Sequence, residues 1–290
     1  MPDEPAIYSS ADLTYGSYLK IPELLSLQEL KSDPPHHDEL LFIVIHQAYE
    51  LWFKMILFEL ENAIRFMGER KVLRAHHFLR RVVEIQKLLV SQIHILETMT
   101  PIEFLGFRGH LNPASGFQSF QFREVEFIAG LVDERYYDHF IEQAGMESLR
   151  RRASGPDMWT TYQRLLGDLG FDVPAEPLPN DPPPGPEHDR LLAALRTIYE
   201  EPEARMDLYL LTEALVDFDT QLSLWRYHHV SVVERVIGAK PGTGGSSGAG
   251  YLRSTLKKHC FPVLLEVRAI LGGPNGGYGQ AAPPAKCPFH

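Results

Sequence analysis

The stretch His37–Lys54 constrains the fold most, because it places one histidine, His46, inside an otherwise apolar helical sequence. An imidazole without a partner in an apolar core costs about 1–3 kcal/mol, so it normally hydrogen-bonds or binds a metal or a ligand. The stretch therefore predicts a long core helix whose histidine has a partner. At helical spacing its face also carries Phe42, Tyr49, Phe53, Ile56 and Leu60.

A second long helix is predicted over residues 204–237, with an interior row of side chains at alternating steps of three and four. His229 belongs to this row and is therefore predicted to point inward. Its neighbour His228 lies about 100° further round the helix. It is predicted to face solvent or to contact the residues that line the site without lining it itself. The full row comprises Leu215, Phe218, Leu222, Trp225, His229, Val232 and Val236.

Helical periodicity dominates the rest of the chain, and the sequence contains no set of short alternating strands. Asp38 is the predicted N-cap of the helix that carries His46, and Pro101 is predicted to stop the helix over residues 71–100. The fold class that follows is all-α, a helical bundle. The core helix that carries His46 is predicted over residues 38–66, and further helices over residues 71–100, 116–131 and 136–149.

Residues 172–189 contain seven prolines among eighteen residues, a composition that resists regular structure. We interpret them as a surface loop within a single domain, because each half of the chain alone lacks a partner for its apolar faces. The domain is predicted to span residues 1–275. Residues 276–290, within a Gly-, Pro- and Ala-rich segment without periodicity, are predicted to form a flexible tail.

Composition and charge exclude several classes of protein. The formal net charge of −10 argues against a nucleic-acid binder, which needs a basic surface. The longest apolar run, residues 40–45, is far shorter than the roughly 20 residues that cross a bilayer. Two cysteines cannot form a disulfide framework, and no signal sequence precedes the first helix. These features predict a soluble protein of the cytoplasm.

The two interior histidines have three possible roles. They could be core histidines that hydrogen-bond to neighbouring groups, ligands of a metal such as zinc, or the proximal and distal residues of a haem pocket between helices. Zinc is disfavoured because no cluster with short ligand spacing surrounds either residue; Glu50 is the only carboxylate four residues after His46. One histidine on iron and another opposite it, among aromatic rings, fits haem better.

Four blocks of the sequence, spread between Leu13 and Leu271, resemble the tryptophan 2,3-dioxygenase family. The resemblance implies an all-α haem enzyme that inserts both atoms of dioxygen across the pyrrole double bond of L-tryptophan to give N-formylkynurenine. Several matches in the right order are more specific than any one of them. The blocks are residues 13–19, residues 37–54, residues 107–108 with 113–119, and residues 225–229 with 242–248.

The resemblance also assigns the cofactor site. In the family, the histidine fourteen residues before the threonine of the Gly-Thr-Gly-Gly loop is the axial ligand of haem b, and here these positions are His229 and Thr243. Ser115 and Trp225 are expected to contact the haem. His46 matches the histidine on the distal side, where it would orient the indole N–H or act as a base.

The substrate contacts follow from the same resemblance. Phe42 and His46 are expected to hold the indole, and Thr243 to contact the ammonium or carboxylate group of the amino acid. A lone arginine is usually a surface residue, but Arg108 matches the family's carboxylate ligand, and its planar guanidinium suits a bidentate pair. Phe104 stands where some relatives have a tyrosine, so one hydrogen bond to that carboxylate is expected to be missing.

Tyr15 and Tyr18 match a segment that reaches into the pocket of a neighbouring subunit in the family. The resemblance therefore implies a homo-oligomer, a tetramer built as a dimer of dimers. Two other functions stay open: a related haem oxygenase that acts on a substituted tryptophan or delivers one oxygen atom, and a non-enzymatic haem-binding protein. For the second of these, Arg108 and the glycine-rich loop would have no purpose.

Overall fold

The computed structural model describes residues 13–139, 143–242 and 247–272. Within these ranges the secondary structure is helical and contains no strand, so the prediction of an all-α fold is confirmed. The α-helices are α1 (Tyr15–Tyr18), α2 (Ile21–Leu24), α3 (His37–Gly68), α4 (Val72–Leu96), α5 (Pro101–Arg108), α6 (Phe120–Ile128), α7 (Gln143–Ala153), α8 (Met158–Asp168), α9 (Pro186–Glu200), α10 (Met206–Ile237), α11 (Ala249–Thr255) and α12 (Pro262–Glu266).

Helix α4 packs against both long helices, α3 and α10, and forms the centre of the bundle. Leu60, Leu79 and Leu215, one from each of the three helices, are fully buried. Polar side chains add links between them. The Tyr49 hydroxyl donates to the Leu89 carbonyl of α4 at 2.9 Å, which satisfies a buried polar group of α3.

The N-terminus of α3 differs from the prediction. Asp38 was expected to cap the helix, but His36 occupies the N-cap, and its Nδ1 accepts from the Asp38 N–H. Asp38 instead lies in the first turn with Glu39, where negative charge is favoured by the helix dipole. The buried Glu39 carboxylate accepts from the backbone N–H groups of Lys31 and Ser32, which fixes the chain that enters the helix.

The helix predicted over residues 71–100 corresponds to α4, which ends a few residues earlier than predicted, and a helix that was not predicted follows it. Helix α4 ends at Leu96, and Thr100 caps α5 through a capping box with Glu103. Pro101 therefore starts a helix rather than only stopping one, because the first turn of a helix has no N–H bond for proline to lose. This break turns the chain so that α5 packs against both α3 and α10.

Other helix boundaries also differ from the predicted ones. Residues 116–118 form a 3-10 turn before α6, and the region expected over 136–149 divides into a 3-10 helix, Glu134–His139, and α7. The proline-rich segment is tied down: Trp159 Nε1 donates to the Pro179 carbonyl at 3.1 Å. Helix α9 begins inside it, at Pro186. Seven of the described helices were not predicted: α1, α2, α5, α8, α9, α11 and α12.

Buried residues on both sides of the proline-rich segment belong to one hydrophobic cluster. The domain limits themselves stay a prediction, and the expected tail over residues 276–290 lies outside the described residues.

Helix α3 alone, among the helices of the described ranges, is long and apolar enough by composition to cross a membrane. A core helix of a bundle meets the same criterion, and Leu60 and Met67 of α3 are fully buried. Its outer side carries a row of exposed apolar residues at seven-residue spacing. These are Val44, Leu51 and Phe58, which are 45%, 56% and 58% exposed.

Candidate active site

A cavity of about 280 Å³ lies among α3, α4, α5, α6, α10 and α11, and it brings together most of the predicted site residues. Both interior histidines line it, although they lie 183 positions apart in the chain. The predicted residues on its wall are Phe42, His46, Phe104, Arg108, Ser115, Trp225 and His229.

The His46 imidazole has a defined tautomer. Its Nδ1 lies 2.7 Å from the Phe42 carbonyl oxygen of the preceding turn. Because a carbonyl only accepts, Nδ1 carries the proton and Nε2 keeps its lone pair. Burial lowers the pKa of His46, and this outweighs the opposite effects of the carbonyl and of Glu50. The ring is therefore neutral near pH 7, with Nε2 as an acceptor.

The His229 imidazole is also neutral. Burial, followed by electrostatic interactions with His46 and Arg123, lowers the pKa of His229 to about 4. Its ring lies against Trp225, with centroids 4.9 Å apart and planes inclined by 30°. Among the described residues, no group hydrogen-bonds the His229 imidazole. A neutral imidazole with an unused lone pair on a cavity wall is able to ligate a metal.

Aromatic rings form two walls. On one side, the ring centroids of Phe42 and Phe104 lie 5.8 Å apart. On the other, the rings of Trp225 and Phe122 lie 4.8 Å apart. Such pairs present broad apolar faces suited to flat ligands.

Arg108 lies in the last turn of α5, one turn after Phe104, and its guanidinium donates to the Pro241 carbonyl. It therefore reaches the chain that follows α10 and remains partly open to the cavity. Thr243, expected in the adjoining glycine-rich loop, lies outside the described residues. Ser115 caps the short turn that follows it, where its hydroxyl accepts from the Phe117 N–H at 3.3 Å.

The remaining predicted residues are not on this wall. Tyr15 and Tyr18 lie on α1, are 78% and 71% exposed, and do not line the cavity of their own chain. His228 also lies away from the cavity, and its ring contacts His94 at a centroid distance of 5.0 Å.

A buried ion cluster in the wall was missed by the sequence-based prediction. The Glu126 carboxylate accepts from Arg123 Nη1 and from Arg226 Nη2, both at 2.6 Å. Burial alone would raise the pKa of Glu126, but the two guanidinium groups lower it below its ordinary value. With two cations and one anion, the cluster leaves one positive charge in the wall of the cavity.

Neighbouring groups hold both arginines in place. Arg226 Nη1 donates to the Lys258 carbonyl at 2.6 Å. The Arg123 guanidinium lies 4.0 Å from the ring centre of Tyr136, whose hydroxyl is 2.7 Å from that of Tyr251. The available signal was Arg226 itself, because a charged residue three positions before His229 falls on the same inward side of α10.

A model of the family described as tryptophan 2,3-dioxygenase matches residues 4–164 and 188–271 of this sequence. The chain belongs to the tryptophan 2,3-dioxygenase family. A relative with that name from Nocardioides sp. is 46% identical over 267 residues, which are 90% of this chain and 96% of the relative. Tryptophan 2,3-dioxygenases from Herpetosiphon aurantiacus and Myxococcus xanthus are 45% and 41% identical and cover 90% and 93% of this chain, and 100% and 94% of their own lengths.

The resemblance inferred from four sequence blocks is thus confirmed. The described helices that carry cavity residues, from α3 to α6 and then α10 and α11, lie in the segments that match the tryptophan 2,3-dioxygenase family. The interval between the two matched segments contains most of the proline-rich loop, which contributes no residue to the cavity.

Proposed function

We propose that this chain is a haem-dependent dioxygenase that inserts both atoms of dioxygen across the pyrrole double bond of L-tryptophan and releases N-formylkynurenine. One observation carries the proposal: two neutral histidines, His46 and His229, line one aromatic cavity, and neither has its cavity-side lone pair engaged by a described residue. Family membership supports the same reaction.

The residues of the cavity fit haem b. The imidazole of His229 would hold the haem iron, and Trp225 and Ser115 lie on the same wall. The positive charge left by Arg123 and Arg226 suits an anionic group such as a haem carboxylate. When bound, haem b supplies the activation of dioxygen, which amino-acid side chains cannot perform.

The chain's own residues would orient the indole. The rings of Phe42 and Phe104 offer it an apolar wall, and His46 Nε2 would accept a hydrogen bond from its N–H. The pKa of His46 is lowered by burial, which makes the imidazole a weaker base. This favours orientation of the substrate over removal of its proton.

The amino-acid end of the substrate would lie toward α5. The Arg108 guanidinium would then donate to this carboxylate instead of to the Pro241 carbonyl, because a charged acceptor makes the stronger hydrogen bonds. Thr243 would contact the ammonium or carboxylate group from the following loop. Phe104 has no hydroxyl, so this carboxylate would depend on the guanidinium more than in relatives with a tyrosine.

We also propose a cytoplasmic homotetramer in which the N-terminal segment completes a neighbour's pocket. The exposure of Tyr15 and Tyr18 supports this, because a buried interface would give both rings a partner. The exposed apolar row Val44, Leu51 and Phe58 on α3 offers a further surface of the kind that subunits cover.

The decisive experiment combines an absorption spectrum of the haem-loaded protein with a mass analysis of the product. The purified, haem-loaded protein should change its ferrous Soret band when L-tryptophan is added, and its product should carry two labelled atoms from ¹⁸O₂. One labelled atom would indicate a monooxygenase, and turnover only with a ring-substituted tryptophan would indicate a tailoring enzyme. Absence of any spectral response to tryptophan would leave a haem-binding protein without this activity.

A further inference from the structure

Three side chains with metal-binding groups meet at the junction between the end of α4 and the middle of α10. One ligand atom each from His94, Glu97 and His228 lies within 4.8 Å of the others. His94 Nδ1 is already 3.2 Å from Glu97 Oε2, and the His94 and His228 rings meet edge to face, with their planes inclined by 82°. The cluster lies outside the cavity described above, and no role in the proposed reaction falls to it.

Two imidazoles and one carboxylate form a donor set that divalent transition metals prefer. In a tetrahedral zinc site with bonds of about 2.1 Å, the ligand atoms lie roughly 3.4 Å apart. The His94 and Glu97 atoms already have nearly this separation. Because the ligand atoms lie within 4.8 Å of one another, bringing His228 in requires a side-chain shift of at most about 1.4 Å, and water would take the fourth position.

The scaffold around these three residues is preorganised. His94 lies in the last turn of α4, and Glu97 is the C-cap of the same helix. His228 lies on α10, which packs along α4. Ligands on packed helices lose little conformational freedom when they bind a metal. The entropic cost of ordering the chain therefore weakens binding only slightly.

We propose that His94, Glu97 and His228 bind a divalent transition-metal ion of the zinc type. The ion would join the end of α4 to α10 beside the cavity, since the adjacent residues Leu96 and His229 line it. One cation opposes the ion: Arg235 Nη1 lies 4.0 Å from Glu97 Oε2 and competes for the carboxylate.

Calorimetric titration of the haem-loaded, tag-free protein with ZnCl₂ tests the site. We expect one saturable equivalent per subunit, which His94→Ala weakens at least about tenfold through loss of one of three ligands. Arg235→Gln should tighten binding about threefold, because it frees Glu97 from an exposed ion pair. His77→Ala is the matched control, since this exposed histidine of α4 lies outside the cluster, and it should bind zinc like the unmodified protein.

Zinc-edge X-ray absorption on the same sample identifies the ligands without interference from iron. The spectrum should contain nitrogen and oxygen neighbours at about 2.0–2.1 Å with imidazole scattering. A sulfur shell near about 2.3 Å would assign the metal to a cysteine instead and overturn the proposal. So would unchanged affinity in His94→Ala, or an equal loss in His77→Ala.

Discussion

The buried ion cluster makes a sharp prediction about stability. Glu126, Arg226 and Arg123 are only 2%, 3% and 5% exposed, and the carboxylate is the shared acceptor of both guanidinium groups. Glu126→Gln keeps the shape of the side chain but leaves two buried cations without an anion. Removing one partner of a buried ion pair costs about 3–5 kcal/mol.

The structure favours a destabilisation near the lower end of that range, because both arginines keep other contacts. Arg226 keeps its bond to the Lys258 carbonyl, and Arg123 keeps its position over the Tyr136 ring. We therefore expect the free energy of unfolding to fall by about 3 kcal/mol, which corresponds to a drop in Tm of roughly 5 °C for a chain of this size. Arg226→Met should cost less, because it leaves Arg123 and Glu126 as a neutral pair.

Denaturant unfolding at fixed protein concentration and matched haem content would measure both variants. Glu69→Gln, which alters an exposed pair with Arg65, should leave the midpoint unchanged and serves as the control.

The stabilisation by Glu126 should also depend on pH. The pKa of Glu126 is lowered in the folded state, so its contribution to the free energy of unfolding is complete above the ordinary carboxyl pKa of about 4.3 and is lost as pH falls through the folded value. The difference between wild type and Glu126→Gln should thus be constant from about pH 8 to about pH 5. A cost below about 1 kcal/mol, or a larger cost for Arg226→Met, would refute the reasoning.

Three further predictions concern the proposed activity. His229→Ala should lose stable haem while His228→Ala keeps most of it, as measured by the Soret absorbance per subunit; equal loss would remove His229 as the ligand. Arg108→Ala should weaken tryptophan binding by about 10- to 150-fold, the equivalent of a charged hydrogen bond, with unchanged haem content; normal affinity in a spectral titration would contradict its role. Deletion of residues 1–20 should preserve haem binding but sharply reduce activity, and subunits exchanged with full-length Arg108→Ala chains should recover part of it; no recovery despite proven exchange would mean that Tyr15 and Tyr18 act within their own chain or only in packing.

Much of the fold could be predicted from the sequence, because helices depend on local periodicity. The 3.6-residue repeat located α3 and α10 to within a few residues and put His46 and His229 on their inward sides. The stop after α4 was predicted from Pro101, but the start of α5 at the same point, encoded locally in the capping box of Thr100 and Glu103, was missed. Short helices such as α11 and α12 carry too few turns for a periodic signal.

The sequence by itself therefore determined the helical class and the inward histidines, and the resemblance in its motifs pointed to the family. Only the tertiary structure decided which distant side chains meet. Glu126 joins Arg226 across 100 positions, and His94 meets His228 because α4 packs along α10. Periodicity specifies which side of a helix a residue occupies, but not which helix lies opposite. That choice is made by the packing of complete helices. A single segment can therefore indicate that Arg226 points inward, but not that it meets Glu126, or that His94 meets His228.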